Sequence, residues 1–166
     1  EGYENVVMAN DPESGLKAVI AVHDTTLGPA LGGLRMWNYE SEKEAIFDVL
    51  RLSKGMTYKS ACANTGLGGG KAVIIGDQKK DKSEALFRAM GRFVDSLGGS
   101  YITAEDVGVG IQELEWLQME TAYVMGLSRQ SGSSGNPSPF TARGVIRGLF
   151  ACTEEKFGTS ELERRH

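Results

Sequence analysis

The stretch GLGGGKAVIIGD, residues 66–77, decides how the rest of the chain is read. Glycines crowd a lysine and an apolar run follows, which is the outline of a phosphate cradle. That pattern needs a glycine six residues before the lysine and a Ser or Thr after it. Those positions hold Thr65 and Ala72. The order of elements is also reversed: a phosphate loop follows a strand and opens a helix, whereas these glycines follow a helical segment and open a strand. The dinucleotide pattern GxGxxG fails too, because its last glycine position is Lys71 itself, and GVGIQE (108–113) supplies only the first two glycines. KAVIIG (71–76) therefore reads as a strand buried on both faces.

Working outward, ENVVMAND (4–11) and LKAVIAVHD (16–24) are valine-rich runs separated by DPESG, whose Pro and Gly are turn residues. PALGGLRMW (29–37) reads as a third strand interrupted by Gly32-Gly33, a pair that marks a bulge or a close approach. Ser41 with Glu44 forms a capping-box signature, and helical spacing continues to about Ala63. DKSEALFRAMGRFVDSLGG (81–99) is an amphipathic helix with a Gly-Gly stop. YITAED (101–106) reads as a short strand ending in two acids, IQELEWLQMET (111–121) as a helix, SRQSGSSGNPSP (128–139) as a loop or linker, and residues 140–158 as a last helix closed by Gly158. Strands alternating with helices argue an α/β fold. The hairpin-like opening argues a mixed sheet, so the expected architecture is a three-layer domain with a mixed β-sheet flanked by helices.

Bulk properties narrow the function. The chain has 166 residues, 40% of them hydrophobic, enough for one domain with a sizeable core. A net charge of −4 argues against a nucleic-acid surface as its main business. No apolar run approaches the roughly 20 residues that span a bilayer, and no signal-peptide pattern opens the chain. Cys62 and Cys152 lie far apart, as two free thiols of a cytoplasmic protein would. His23 and His166 are the only histidines, so neither a metal site nor a histidine triad is expected. The start at Glu1 and the end just after a helix suggest part of a longer chain.

Two features carry chemistry. Lys71 stands behind three glycines, and Lys59 lies twelve residues earlier near a helix end. Two ammonium groups in one cleft depress each other's pKa, and burial depresses it further, which brings a lysine toward proton transfer near neutral pH. The alternative is that both are solvated surface charges. In TAEDVGVG (103–110), Glu105 or Asp106 offers a carboxylate at the C-terminal end of a strand, where open α/β sheets place ligand-handling groups. Helix capping is the alternative reading for Asp106.

TTLGPALGGLRMW (25–37), LRLSKGMTYKSA (50–61), GGGKAVIIGD (68–77), ITAEDVGVG (102–110) and SGNPSPFTARGV (134–145), in that order, resemble the amino-terminal domain of the glutamate/leucine/phenylalanine/valine dehydrogenases over about residues 3–158. The resemblance implies reversible oxidative deamination of an L-amino acid to a 2-oxo acid and ammonia, with hydride passing to NAD. By position, it implies that Lys59 grips the substrate carboxylate, that Lys71 activates water and stabilises the carbinolamine oxygen, and that Asp106 shuttles protons to and from the amino group. It places Gly32, Gly33 and Met56 beside the substrate, Leu31 and Ala104 at its side-chain pocket, and Thr141 near the nicotinamide. Leu31, Met56 and Ala104 suit an ordinary core equally well. TAEDVGVG follows the leucine enzymes, which favours a branched aliphatic substrate. The same resemblance implies residues 1–130 as substrate and oligomerisation domain, residues 131–166 as linker and hinge helix toward an NAD-binding Rossmann domain absent from this chain, and a homo-oligomer. On that organisation the isolated chain is expected to be inactive. The competing reading is a stand-alone, catalytically inactive ligand-binding or assembly domain.

Overall fold

The computed structural model describes residues 2–127 and 135–162. Its order is β1 (Asn5–Asp11), β2 (Leu16–Asp24), β3 (Ala30–Trp37), α1 (Glu42–Cys62), β4 (Gly68–Ile75), α2 (Glu84–Asp95), β5 (Tyr101–Glu105), α3 (Ile111–Gln118) and α4 (Ser138–Phe157). The five strands form one mixed sheet in the order β1-β2-β4-β3-β5. β1 with β2 and β2 with β4 are antiparallel, while β3 runs parallel to both β4 and β5.

This order explains the layers. The β3-α1-β4 crossover moves one way along the sheet, and the next crossover, from β4 over β3 to β5, moves back. Crossovers of one hand that run in opposite directions must lie on opposite faces. α1 therefore covers one face, where Ala45 and Val49 pack with Val19, Ala21, Tyr39 and Val73. α2 and α3 cover the other, where Phe87, Met90, Leu114 and Leu117 pack on Ile20, Leu34, Ile74 and Tyr101. The expected mixed, three-layer α/β sheet is what the chain forms.

Local signals act close to where they were read. Ser41 Oγ accepts from the Glu44 amide, but the Glu44 carboxylate accepts from Glu40 rather than from Ser41, so the box is offset by one residue. α2 is shorter than the 81–99 expected: Ser83 caps its start, and Gly98 and Gly99 adopt positive φ after its end. α4 begins at Ser138, inside the stretch read as linker, with Pro139 in its first turn. Residues 128–134 of that stretch lie outside the described residues, as does His166. Among the described residues, no helix is long and apolar enough to cross a membrane. Cys62 and Cys152 are exposed free thiols.

The main correction concerns the glycines. They do not form a loop before the strand. Gly68, Gly69 and Gly70 are the first three residues of β4, so Lys71 stands within the strand, paired with Ala21. Close packing explains the residue type. A side chain on Gly69 would collide with Thr57 of α1, and one on Gly70 would meet the Tyr101 ring at 2.7 Å. These glycines let α1 and Tyr101 approach the backbone from opposite faces. The Gly68 amide donates to the Gly28 and Pro29 carbonyls.

Candidate active site

Alternation along the strands selects the residues that can meet. On the α1 face stand Leu31, Gly33 and Arg35 of β3, Lys71 of β4 and Ala104 of β5, with Asp106 one residue beyond the end of β5. α1 packs mainly over β2 and β4, leaving the β3 and β5 side of this face more open. The site lies at that border.

The Lys71 ammonium lies 2.7 Å from Asp106 Oδ2, with only 7% of its side chain exposed. Arg35 Nε donates to the same Asp106 oxygen at 3.0 Å, and its Nη1 donates to Asp48 Oδ2 of α1 at 2.8 Å. Asp48 also accepts from the Tyr39 hydroxyl at 2.8 Å and from Arg51 at 2.6 Å. Asp106 is therefore an ion-pair partner and not a helix cap. α3 opens at Gly110, whose amide donates to Glu113.

Burial pushes the Lys71 ammonium below the usual lysine range; Asp106 opposes that shift, and the Arg35 charge adds to it. The neighbouring cation is thus Arg35, where the sequence reading expected Lys59. For Asp106, burial alone would raise the carboxyl, but Lys71 and then Arg35 outweigh it and hold the group below its ordinary value. The two shifts affect stability with fixed signs. The depressed Asp106 stabilises the fold above the ordinary aspartate pKa of 3.8, and this is lost as pH falls through the lower folded value. Lys71 costs stability while protonated, so stability rises with pH between its lowered value and 10.5. Urea unfolding between pH 2.5 and 6 should therefore show a flatter pH dependence in Asp106→Asn than in the parent; superimposable slopes would contradict the pairing.

Above this pair lies an open cleft of about 820 Å³, bordered by Lys59, Glu105, Asp106 and Gly110 and, from the start of α4, by Ser138 and Thr141. Lys59 is exposed at its rim, in the last turn of α1. Lys71 does not line the cleft itself but pairs with Asp106, which does. Leu31, Gly33, Ala104 and Met56 are half-buried and do not border this cleft. Gly32 is elsewhere: it is buried on the opposite face, where its carbonyl accepts from the Tyr101 hydroxyl at 2.6 Å. Its proposed role beside the substrate therefore rests on backbone alone. Sequence reasoning missed Arg35, Asp48 and Tyr39. Arg35 lay within the quoted motif LGGLRMW at a period-two offset from Gly33, the one signal available for it. Among the described residues, no group of His, Cys, Asp and Glu could hold a metal ion.

A family model described as Glu/Leu/Phe/Val dehydrogenase, dimerisation domain, matches residues 3–123. The chain belongs to this dehydrogenase family. It is 62% identical over 161 residues to leucine dehydrogenase of Bacillus cereus, covering 97% of this chain and 44% of that protein. Phenylalanine dehydrogenase of Lysinibacillus sphaericus is 54% identical over 160 residues, 96% of this chain and 42% of its own length. Among solved structures, L-tryptophan dehydrogenase from Nostoc punctiforme superposes with a TM-score of 0.76 at 45% identity, covering 97% of this chain and 45% of that one. The chain thus spans less than half the length of these dehydrogenases, and the matched part holds the Lys71–Asp106 pair.

Proposed function

We propose that this chain is the substrate-handling domain of an NAD-dependent dehydrogenase that oxidatively deaminates a branched or other apolar L-amino acid to its 2-oxo acid and ammonia. The observation that carries this reading is the buried Lys71 ammonium, 2.7 Å from Asp106 beneath a cleft whose rim bears Lys59. A zwitterionic substrate needs a cation for its carboxylate, which Lys59 offers at the rim. Asp106 borders the cleft and exchanges protons with the amino group. Lys71, pushed below the usual lysine range by burial, takes a proton from water when it stands as the free amine and returns as ammonium to stabilise the oxygen of the carbinolamine. Leu31, Met56 and Ala104 lie outside the lining of this cleft and are assigned to the substrate's side-chain pocket by the family resemblance alone, as are Gly32 and Gly33 to its backbone wall.

NAD accepts the hydride in this reading. The glycines of β4 are closely packed against Thr57 and Tyr101 and are not assigned to its pyrophosphate. Its main binding site is assigned to a Rossmann domain following the hinge helix α4, with Thr141 at the cleft mouth as the contact this chain provides. Residues 1–130 are read as the substrate and oligomerisation domain and 131–166 as linker and hinge. The family model's description as a dimerisation domain supports a homo-oligomer, and a cytoplasmic location suits this chemistry.

The test is NADH formation by the full-length chain with a panel of L-amino acids. Leucine, valine and isoleucine should be the best substrates. Lys59→Ala should raise KM about 10- to 100-fold, the worth of one charge-assisted hydrogen bond. Absence of turnover with every amino acid would favour the assembly-domain reading instead.

A further inference from the structure

We propose that Arg35, anchored by Asp48, is a positioning residue: its guanidinium holds one Asp106 oxygen against Lys71 and keeps a second positive charge beside that ammonium. The inference deepens the dehydrogenase reading and rests on it for the reaction concerned, but its geometry is independent of it. One planar guanidinium bridges two carboxylates from different elements, Nε to Asp106 Oδ2 at 3.0 Å and Nη1 to Asp48 Oδ2 at 2.8 Å. A guanidinium fork fixes direction as well as distance, which an ammonium does not. Asp48 is itself held on α1 by Tyr39 and Arg51, so the anchor is rigid. Both cations meet the same oxygen of Asp106, Oδ2. That arrangement fixes the Asp106 carboxylate at the border of the cleft.

The charges facing Lys71 can be traced element by element. β3 presents Arg35, α1 presents Asp48, and the segment after β5 presents Asp106. β2 presents the uncharged Ala21 directly opposite. Lys59 and Glu105 border the cleft above. Arg35 pushes the Lys71 proton off and Asp48 holds it on. Removing each charge must therefore move the lysine in opposite directions, which a purely structural role for either residue does not require.

The experiment follows the pH dependence of Lys71 acetylation by acetic anhydride, read by mass spectrometry of the Lys71 peptide in the full-length chain. It needs no catalytic activity. Arg35→Gln should move the Lys71 midpoint up by about one pH unit and Asp48→Asn should move it down. Arg35→Lys keeps the charge but loses the fork, so its midpoint should stay near the parent's while kcat falls at least 10-fold. Circular dichroism and thermal unfolding exclude gross misfolding. Midpoints that coincide in Arg35→Gln, Asp48→Asn and the parent would overturn the proposal, as would full kcat in Arg35→Lys. Opposed shifts in a chain that turns over no amino acid would support the placement of Arg35 and overturn only the dehydrogenase reading.

Discussion

Replacing Lys71 with alanine in the full-length chain should reduce amino-acid turnover about 10³-fold or more while leaving the fold in place, within the range that a positioned acid–base group contributes. The loss is large because Lys71 is the buried ammonium against Asp106, and Lys59 lies exposed at the rim. The fold should survive for two reasons. Removing Lys71 does not strand the Asp106 carboxylate, because Arg35 still donates to the same oxygen. Alanine also follows the β4 backbone, whose neighbours Ala72 and Val73 are fully buried. The measurements are steady-state kcat with NAD and the preferred amino acid, and the thermal midpoint of the same preparation. A variant that keeps more than a tenth of parental kcat would remove Lys71 from the reaction.

Gly32→Ala should prevent stable folding. A Cβ built on Gly32 runs into the Gly70 carbonyl oxygen and comes within 3.0 Å of the Lys71 amide nitrogen. Both obstacles are backbone of the neighbouring central strand, so no rotamer change relieves them. Separating β3 from β4 there would also disturb the fully buried Tyr101, whose hydroxyl donates to the Gly32 carbonyl. The expected cost exceeds about 4 kcal/mol, a large share of the roughly 5–15 kcal/mol that holds a domain together. Gly55→Ala in α1 is the control, since a Cβ there meets nothing within 4 Å and alanine is the better helix residue. Soluble yield and urea unfolding should separate the two variants, and a Gly32→Ala protein of parental stability would show that β3 and β4 yield more easily than their packing implies.

Much of the fold was legible because it depends on local periodicity. The buried run of β4, the Ser41 cap and the Gly98-Gly99 stop each act within a few residues of where they are read. The strand ends were less legible. Glycines at 68–70 look like a loop in sequence, and only the contacts of Thr57 and Tyr101 make them strand. Lys71, Asp106 and Lys59 stood out as candidates, and the structure puts Lys71 against Asp106 while leaving Lys59 at the rim. Arg35 and Asp48 did not stand out, because an arginine in a strand and an aspartate on a helix carry no signal until they are neighbours.

By itself the sequence determined the alternation of strands and helices, the mixed sheet and the residue types available for chemistry, since each is written in the spacing of neighbouring side chains. Only the tertiary structure decided which of them meet. Placing β3 between β4 and β5, with α1 across one face, brings residues 35, 48, 71 and 106 together and turns Gly32 away to the other side. That choice follows from crossover handedness and from which strand edges pair, neither of which any short window of sequence contains.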